Sequence, residues 1–334
     1  SRYGKHPASK TTAQTRITFP TLAPFLRLVA SHAVQAWKLA FVIGAGCASI
    51  PLPADAPHPD ARPGDVEVDA CVLWGERIDR RLYEGVAELS LEPWHQAIAT
   101  IVLRHPSGIF VVDPAFGSAI AEDLRRVPPW FRVISGDAQG KVPLPDGLRA
   151  AGIDPAEVRV ALLTHAHWDH AGGLRDLPSA WVRMSRDEYR FVEPLDRYIS
   201  AGVMPHHFEG VWPRVRSFEL DGPPLLRFSA SKDLFHDGSV IAVPLPGHSP
   251  GSTGYLVRGR GGKRWLLIGD TTWTYRGVEK PAHKTLPVID MNRALTGETI
   301  GRLHTLRREH PEIAIVPAHD ADALETMPTC TPLP

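Results

Sequence analysis

Three histidines and one aspartate fall within the six residues His165-Ala166-His167-Trp168-Asp169-His170, directly behind Thr164. Imidazole and carboxylate together are the donor set of zinc and other borderline first-row cations. His165 and His167 alternate with Ala166, so in an extended segment both rings leave on the same side. Asp169 and His170 come where the chain must turn, so they face a neighbouring point. One stretch can therefore serve two adjacent cations. Gly172 and Gly173 follow, where backbone either passes close to a neighbour or adopts positive φ.

Three later positions repeat the pattern of an apolar run followed by a donor. His248 follows the run through Leu245 and sits between Pro246-Gly247 and Ser249-Pro250-Gly251, which fix a sharp turn. Asp270 follows Trp265-Leu266-Leu267-Ile268-Gly269, and its two oxygens can bind one cation each. His319 ends the run Ile313 to Val316 through Pro317-Ala318. A single histidine behind a strand is more often structural than ligating; the set in this order points to a metal site.

The elements that must hold these donors follow from hydrophobic pattern and turn residues. Strands are expected over Val66 to Leu73, His95 to Leu103, Gly108 to Asp113, Val158 to Leu163, Pro224 to Phe228, Ser239 to Leu245, Gly254 to Val257, Trp265 to Ile268 and Ile313 to Val316. The second and third form a hairpin around Pro106-Ser107-Gly108. Short helices are expected over Ala119 to Arg126 and Pro145 to Ala151. Ser185-Arg186-Asp187-Glu188 is a capping-box pattern that starts a helix over about 186–193, and a longer helix runs from Met291 to Arg308. Residues 194–224, rich in proline, aromatics and histidine, read as a lid or insertion over the site.

The 43% hydrophobic and 22% charged content describes a globular chain able to bury a core. A formal charge of zero supplies no field for nucleic acid. Cys47, Cys71 and Cys330 show no Cys-x-x-Cys spacing and no disulfide framework, and Cys71 reads as an isolated small buried residue. Residues 65–334 are expected to form one globular domain that carries the donor site, preceded by a leader or arm and a proline-rich linker over 1–64. Leu39 to Gly46 is too short to span a bilayer and has the length of a signal-peptide apolar region, with Lys38 in front. Gly44-Ala45-Gly46-Cys47-Ala48-Ser49 resembles a bacterial lipoprotein cleavage box, departing from it at Gly44. Two readings stay open: periplasmic or membrane-tethered through residues 38–50, or cytoplasmic with an N-terminal arm packed on the domain or on a second copy in a homodimer.

The chain resembles the metallo-β-lactamase-fold hydrolases over about residues 65–325. The family's His-x-His-x-Asp-His signature stands as His165, His167, Asp169 and His170, its next histidine as His248, its bridging aspartate as Asp270 and its last histidine as His319. The resemblance implies an α+β architecture, an αβ/βα sandwich of two mixed sheets with helices on the outer faces. It also implies two Zn2+ per chain, or other first-row divalent metals. His165, His167 and His248 would hold one, Asp169, His170 and His319 the other, with Asp270 bridging. Asp113, in Val111-Val112-Asp113-Pro114, matches a family aspartate that braces the site without ligating. A hydroxide shared by the metals would attack a carbonyl, and Asp169 would pass a proton to the leaving group.

Within the family, Asp270 argues against true β-lactamases and His167 against the flavodiiron oxidoreductases. The neutral charge argues against a tRNA-processing nuclease. The wording around His167, His248 and Asp270 is most similar to the N-acyl-homoserine-lactone lactonases. Those carry a tyrosine three residues after the bridging aspartate, against the substrate carbonyl; Trp273 stands there in this chain, with Tyr275 two residues on as a substitute catalytic group. Phe208, Trp212 and Trp273 are expected to line an acyl pocket. His206 and His207 are surplus once the seven ligand positions are filled. The expected activity is opening of a lactone or cleavage of a carboxylic ester. The alternatives are a thioesterase similar to the hydroxyacylglutathione hydrolases, a phosphoesterase, and a fold-retaining binding or assembly module. The expected partner is a small-molecule ester or lactone.

Overall fold

The computed structural model describes residues 50–52, 66–127, 138–194 and 202–332. The leader and nearly all of the proline-rich linker, with the signal-like run and Cys47, lie outside the described residues. Among the described residues no helix is long and apolar enough to cross a membrane.

Among the described residues eleven strands form two sheets. The first holds β1 (Asp69–Arg81), β2 (Pro93–His105), β3 (Gly108–Val112), β4 (Val158–Leu162), β5 (Trp181–Ser185) and β6 (Val215–Phe218), in that spatial order. β1, β2 and β3 pair antiparallel, and β3 through β6 run parallel. The second holds β7 (Lys232–Asp233), β8 (Val240–Pro244), β9 (Thr253–Arg258), β10 (Arg264–Leu267) and β11 (Ile313–Val316), ordered β11-β10-β9-β8-β7. Only its β10–β11 pair is parallel.

Both sheets are covered on both faces, which is why their strands read as near-continuous apolar runs. Ile101 and Leu103 of β2 point into a core shared with Ala242, Tyr255, Val257 and Leu267 of the second sheet. Val102 between them points outward, onto Leu144 and Leu148 of the helix Leu144–Ala150. The second sheet alternates likewise: Ile241, Val243, Leu256 and Leu266 pack on Leu303 and Leu306 of the long helix Arg293–Glu309. The result is the expected sandwich of two mixed sheets with helices outside.

This topology gathers the donors. β8, β10 and β11 run parallel to one another, so His248, Asp270 and His319 leave the same edge of the second sheet. β3 and β4 are parallel neighbours, so Asp113 and the His165 cluster leave one edge of the first.

Three expectations are corrected. Pro224 to Phe228 is not a strand but a tight turn, closed by the Leu225–Phe228 bridge with Leu226 at φ 54°. Part of the expected lid belongs to the sheet, since Val215–Phe218 is its edge strand β6. Cys71 is not isolated: it is disulfide-bonded to Cys330, whose backbone N–H donates to Val72 O beside β1. A separation of 259 residues hides such a pair from any spacing rule.

Candidate metal centre

Leu163 ends the apolar run of β4, and its carbonyl accepts the Tyr255 hydroxyl at 2.6 Å. The next residues are held by side chains reaching in from elsewhere. Asp113 accepts the Thr164 backbone N–H and hydroxyl through its two oxygens, both at 2.7 Å. Glu188 accepts the Ala166 N–H at 2.8 Å, which fixes the extended piece carrying His165 and His167. A single helical turn, Trp168–Ala171, then swings Asp169 and His170 aside. Gly172 and Gly173 serve close approach rather than positive φ. A Cβ on either would stand 2.5 Å from Ala115 O or 2.3 Å from Pro114 O.

The donors converge in two groups. His248 Nε2 lies 3.2 Å from His165 Nε2 and 3.0 Å from His167 Nδ1. Asp169, His170 and His319 form the second group. Asp270 stands between them. Its Oδ1 is 3.2 Å from His170 Nε2 and 3.0 Å from His319 Nε2, while its Oδ2 is 3.5 Å from His248 Nε2. All are buried except Asp169, whose side chain keeps 15% exposure and so is the donor nearest solvent.

Four of the five imidazoles are oriented by their other nitrogen, as metal-ligating histidines are, while His167 Nε2 is buried with no hydrogen-bond partner among the described residues. His170 Nδ1 is 2.8 Å from Asp113 Oδ2, His319 Nδ1 3.0 Å from Ala97 O, and His248 Nδ1 3.1 Å from Asp290 Oδ1. His165 Nδ1 is 3.1 Å from Thr164 Oγ1, which itself donates to Asp113. In each case the other nitrogen of the ring is turned inward, towards the remaining donors. Burial, with the neighbouring imidazoles, pushes His165 and His167 well below the usual histidine range. Burial, with Lys284, also lowers His248. Burial opposes charge on His170, yet Asp113, Asp270 and Asp169 outweigh it and raise that ring well above the usual range.

This donor set fits divalent metal. Three imidazole nitrogens converge, with His248 Nε2 at 3.0–3.2 Å from the other two, the spacing of ligands around a single cation. Tetrahedral zinc with Zn–N of about 2.0–2.1 Å requires nitrogens about 3.3 Å apart. His170 Nε2 and Asp270 Oδ1 are buried with no hydrogen-bond partner among the described residues, as ligand atoms awaiting a cation are.

A family model described as the metallo-beta-lactamase superfamily matches residues 96–319, which span every one of these donors. The chain belongs to this superfamily. It is a metal-dependent hydrolase of the metallo-β-lactamase fold. An N-acyl homoserine lactonase, AttM of Agrobacterium fabrum, is 29% identical over 227 residues, covering 66% of this chain and 81% of that protein. A solved N-acyl homoserine lactone hydrolase with N-hexanoyl-L-homoserine at its catalytic metal centre superposes with a TM-score of 0.57. It is 18% identical and covers 79% of this chain and 97% of that one. AidC, described as a dizinc quorum-quenching lactonase, superposes at 0.51 with 16% identity, covering 76% and 90%.

Among the residues expected to touch substrate in this superfamily member, Trp273 alone meets the metal donors. Its indole N–H donates to Asp270 Oδ2 at 2.9 Å, and its ring stands edge-on to His319. Tyr275 is engaged elsewhere: its hydroxyl accepts from Arg307 Nε at 2.7 Å and its ring packs among core side chains. The expected role of Tyr275 as a stand-in for the missing tyrosine is corrected on this point, because Arg307 holds the phenol. Phe208 is fully buried in the core and stacks on Trp212, which meets Tyr189 on its other contact. Packing among themselves occupies these rings.

Three residues that serve the site, Glu188, Asp290 and Lys284, carry no motif that points to the site. Glu188 was expected only as the far half of a capping box. Ser185 does cap the helix, accepting the Glu188 N–H. The Glu188 carboxylate, however, turns to Ala166 N, Ser249 Oγ and Gly251 N, so it joins the loops of His165 and His248. Asp290 orients His248, and fully buried Lys284 holds Asp290 at 2.5 Å while also donating to Asp270 O. Only the signal of a lysine and an aspartate in an otherwise loop-like stretch could have drawn notice.

Proposed function

We propose that the chain is a dinuclear zinc hydrolase that opens a lactone or cleaves a carboxylic ester. The observation that carries this is Asp270, one oxygen turned to each of two three-residue donor groups. The names of the lactonase relatives, one of them dizinc, favour the lactone.

His165, His167 and His248 would hold one zinc and Asp169, His170 and His319 the other, with Asp270 shared. When bound, two such cations supply a hydroxide nucleophile near neutral pH and polarise the carbonyl that it attacks. The protein's part is to fix the donors and to move a proton. Asp169 would receive a proton and deliver it to the leaving alkoxide, a role that its exposure, the greatest among the donors, supports. Trp273 closes one side of Asp270, and its N–H, being given to that carboxylate, is not free for substrate.

The test is a rate panel on zinc-loaded protein: γ-lactones with short and long acyl tails, an aryl ester, a thioester and an aryl phosphotriester. Turnover of lactone or ester above the others supports the reading. Inactivity on both, or preference for the phosphotriester or thioester, defeats it.

We also infer export from the cytoplasm. The Cys71–Cys330 disulfide is of a kind that persists in oxidising compartments and supports the signal-like reading of residues 38–50. A mature N-terminus at or just after Cys47 would bear this out; an intact leader on native protein would refute it.

A further inference from the structure

Two of the histidines left over when the seven donors are assigned, His206 and His207, form a cluster of their own with Asp123. Asp123 lies in the helix Ile120–Arg126, and His206 and His207 lie in the single turn Pro205–Phe208. All three are buried, at 1%, 5% and 1% exposure. The two oxygens of Asp123 each face one imidazole: Oδ1 is 2.5 Å from His206 Nε2, and Oδ2 is 3.1 Å from His207 Nε2. One donor atom from each residue lies within 4.8 Å of the others.

His207 separates this cluster from a simple buried ion pair. Both of its ring nitrogens are buried with no hydrogen-bond partner among the described residues. The 3.1 Å approach to Asp123 lacks the angle that a hydrogen bond requires, so it does not satisfy His207 Nε2. Burial holds the His207 ring below the usual histidine range, which leaves it neutral. The imidazoles of His206 and His207 lower Asp123 against the effect of its burial, which leaves it ionised. The main donor cluster shares the geometric part of this signature: buried imidazoles gathered about a carboxylate, with donor atoms that no hydrogen bond satisfies among the described residues.

We propose that Asp123, His206 and His207 form a third divalent-cation site, separate from the dinuclear centre. Two imidazoles and one carboxylate select a borderline first-row ion, with zinc foremost. The site fastens the turn 205–208 to the helix 120–126. Three residues before that turn, Gly202 accepts the Trp168 N–H at 2.9 Å and lies so near the His167 ring that a Cβ there would approach Cδ2 to 2.9 Å. The third ion thus steadies the backbone behind a donor of the first centre. The proposal stands whether or not the lactone reading does.

The full-length protein is loaded with Zn2+, freed of loosely held metal by gel filtration, and its zinc per chain is counted by mass spectrometry. His207→Ala and Asp123→Asn are each expected to retain one equivalent fewer than wild type. His248→Ala, which weakens the other centre, is expected to keep that equivalent. Diffraction from wild-type crystals at the zinc absorption edge should place an anomalous peak among the three side chains, a readout that does not depend on any variant folding. Equal zinc in wild type and His207→Ala, or no peak at that position, overturns the proposal. Loss of the dinuclear pair alone would lower every count but leave the difference of one.

Discussion

Trp273 donates its indole N–H to Oδ2 of Asp270 at 2.9 Å, so the side chain three residues behind the shared carboxylate serves that carboxylate. A tyrosine there could instead turn its hydroxyl to a substrate carbonyl, which an indole already committed to Asp270 does not do. Trp273→Tyr is expected to raise kcat/KM on γ-lactones by about fivefold, the worth of one net hydrogen bond of ~1 kcal/mol. Trp273→Phe, lacking any donor, should give no such gain. A rate unchanged in Trp273→Tyr would mean that the carbonyl is handled by other groups.

Asp270→Asn replaces a carboxylate oxygen turned to one donor group by an amide that cannot bind cation there. It should lose more metal affinity than the about 10–100-fold typical of an outer partner, with hydrolysis falling in step. His248→Ala, which opens the first donor group, should do the same. Metal content after dialysis and steady-state rates check both; wild-type values in either would remove that residue from the centre.

Asp290 and Lys284 are a buried pair acting through His248. Burial disfavours the Asp290 charge, but Lys284 and His248 overcome this and hold the carboxyl at about 2. The pKa is depressed in the folded state. Its stabilisation is therefore present above the ordinary value of 3.8 and is lost as pH falls towards about 2. Asp290→Asn strands the Lys284 ammonium and should cost about 3–5 kcal/mol at neutral pH. The gap between wild type and variant in chemical denaturation should narrow on acidification below pH 4. A gap independent of pH would show that the pair does not carry this charge.

Strand ends were the most legible feature of the sequence. β11 runs from Ile313 to Val316 as the apolar pattern reads, and β4 ends one residue before the expected Leu163, because hydrophobic alternation reports burial and both sheets are buried on both faces. All seven donors stand where strands stop. What stayed hidden depends on contacts between distant segments. Nothing local ties Cys71 to Cys330, or Lys284 to Asp270 O, and Leu225 to Phe228 looks like a strand while its backbone is turned by positive φ at Leu226. Phe208 has the composition of a pocket residue, yet whether an aromatic ring faces a cavity or a core is decided by what packs on it.

Glu188 titrates with the opposite sign to Asp290. Burial, only partly offset by Ser249, Ala166 and Gly251, raises it to about 7. With the folded pKa raised, its contribution to stability is full below the ordinary 4.5 and is lost as pH rises through about 7. Glu188→Gln sets an amide NH2 against either the Ala166 or the Gly251 backbone N–H, both of which the native side chain accepts, so the loops of His165 and His248 lose a tie worth about 1–3 kcal/mol. Thermal unfolding across pH 5 to 8 should show the difference from wild type shrinking towards the alkaline end. A difference that grows with pH would mean that the ionised form is the stabilising one.

The disulfide closes a loop of 259 residues and clips the segment Pro328 to Cys330 beside β1, where Val72 donates to Pro328 O and accepts from Cys330 N–H. Cross-linking a long loop restricts the unfolded chain, and its removal typically costs about 2–5 kcal/mol. For a domain of this size the paired change Cys71→Ser with Cys330→Ser should lower Tm by roughly 5–15 °C. Metal content should hold, because no donor lies on either segment. Thiol titration of unreduced, denatured full-length protein should find Cys47 alone, and reduction should release two more. Three thiols without reductant, or a Tm indifferent to both substitutions, would show that the two sulfurs are not joined.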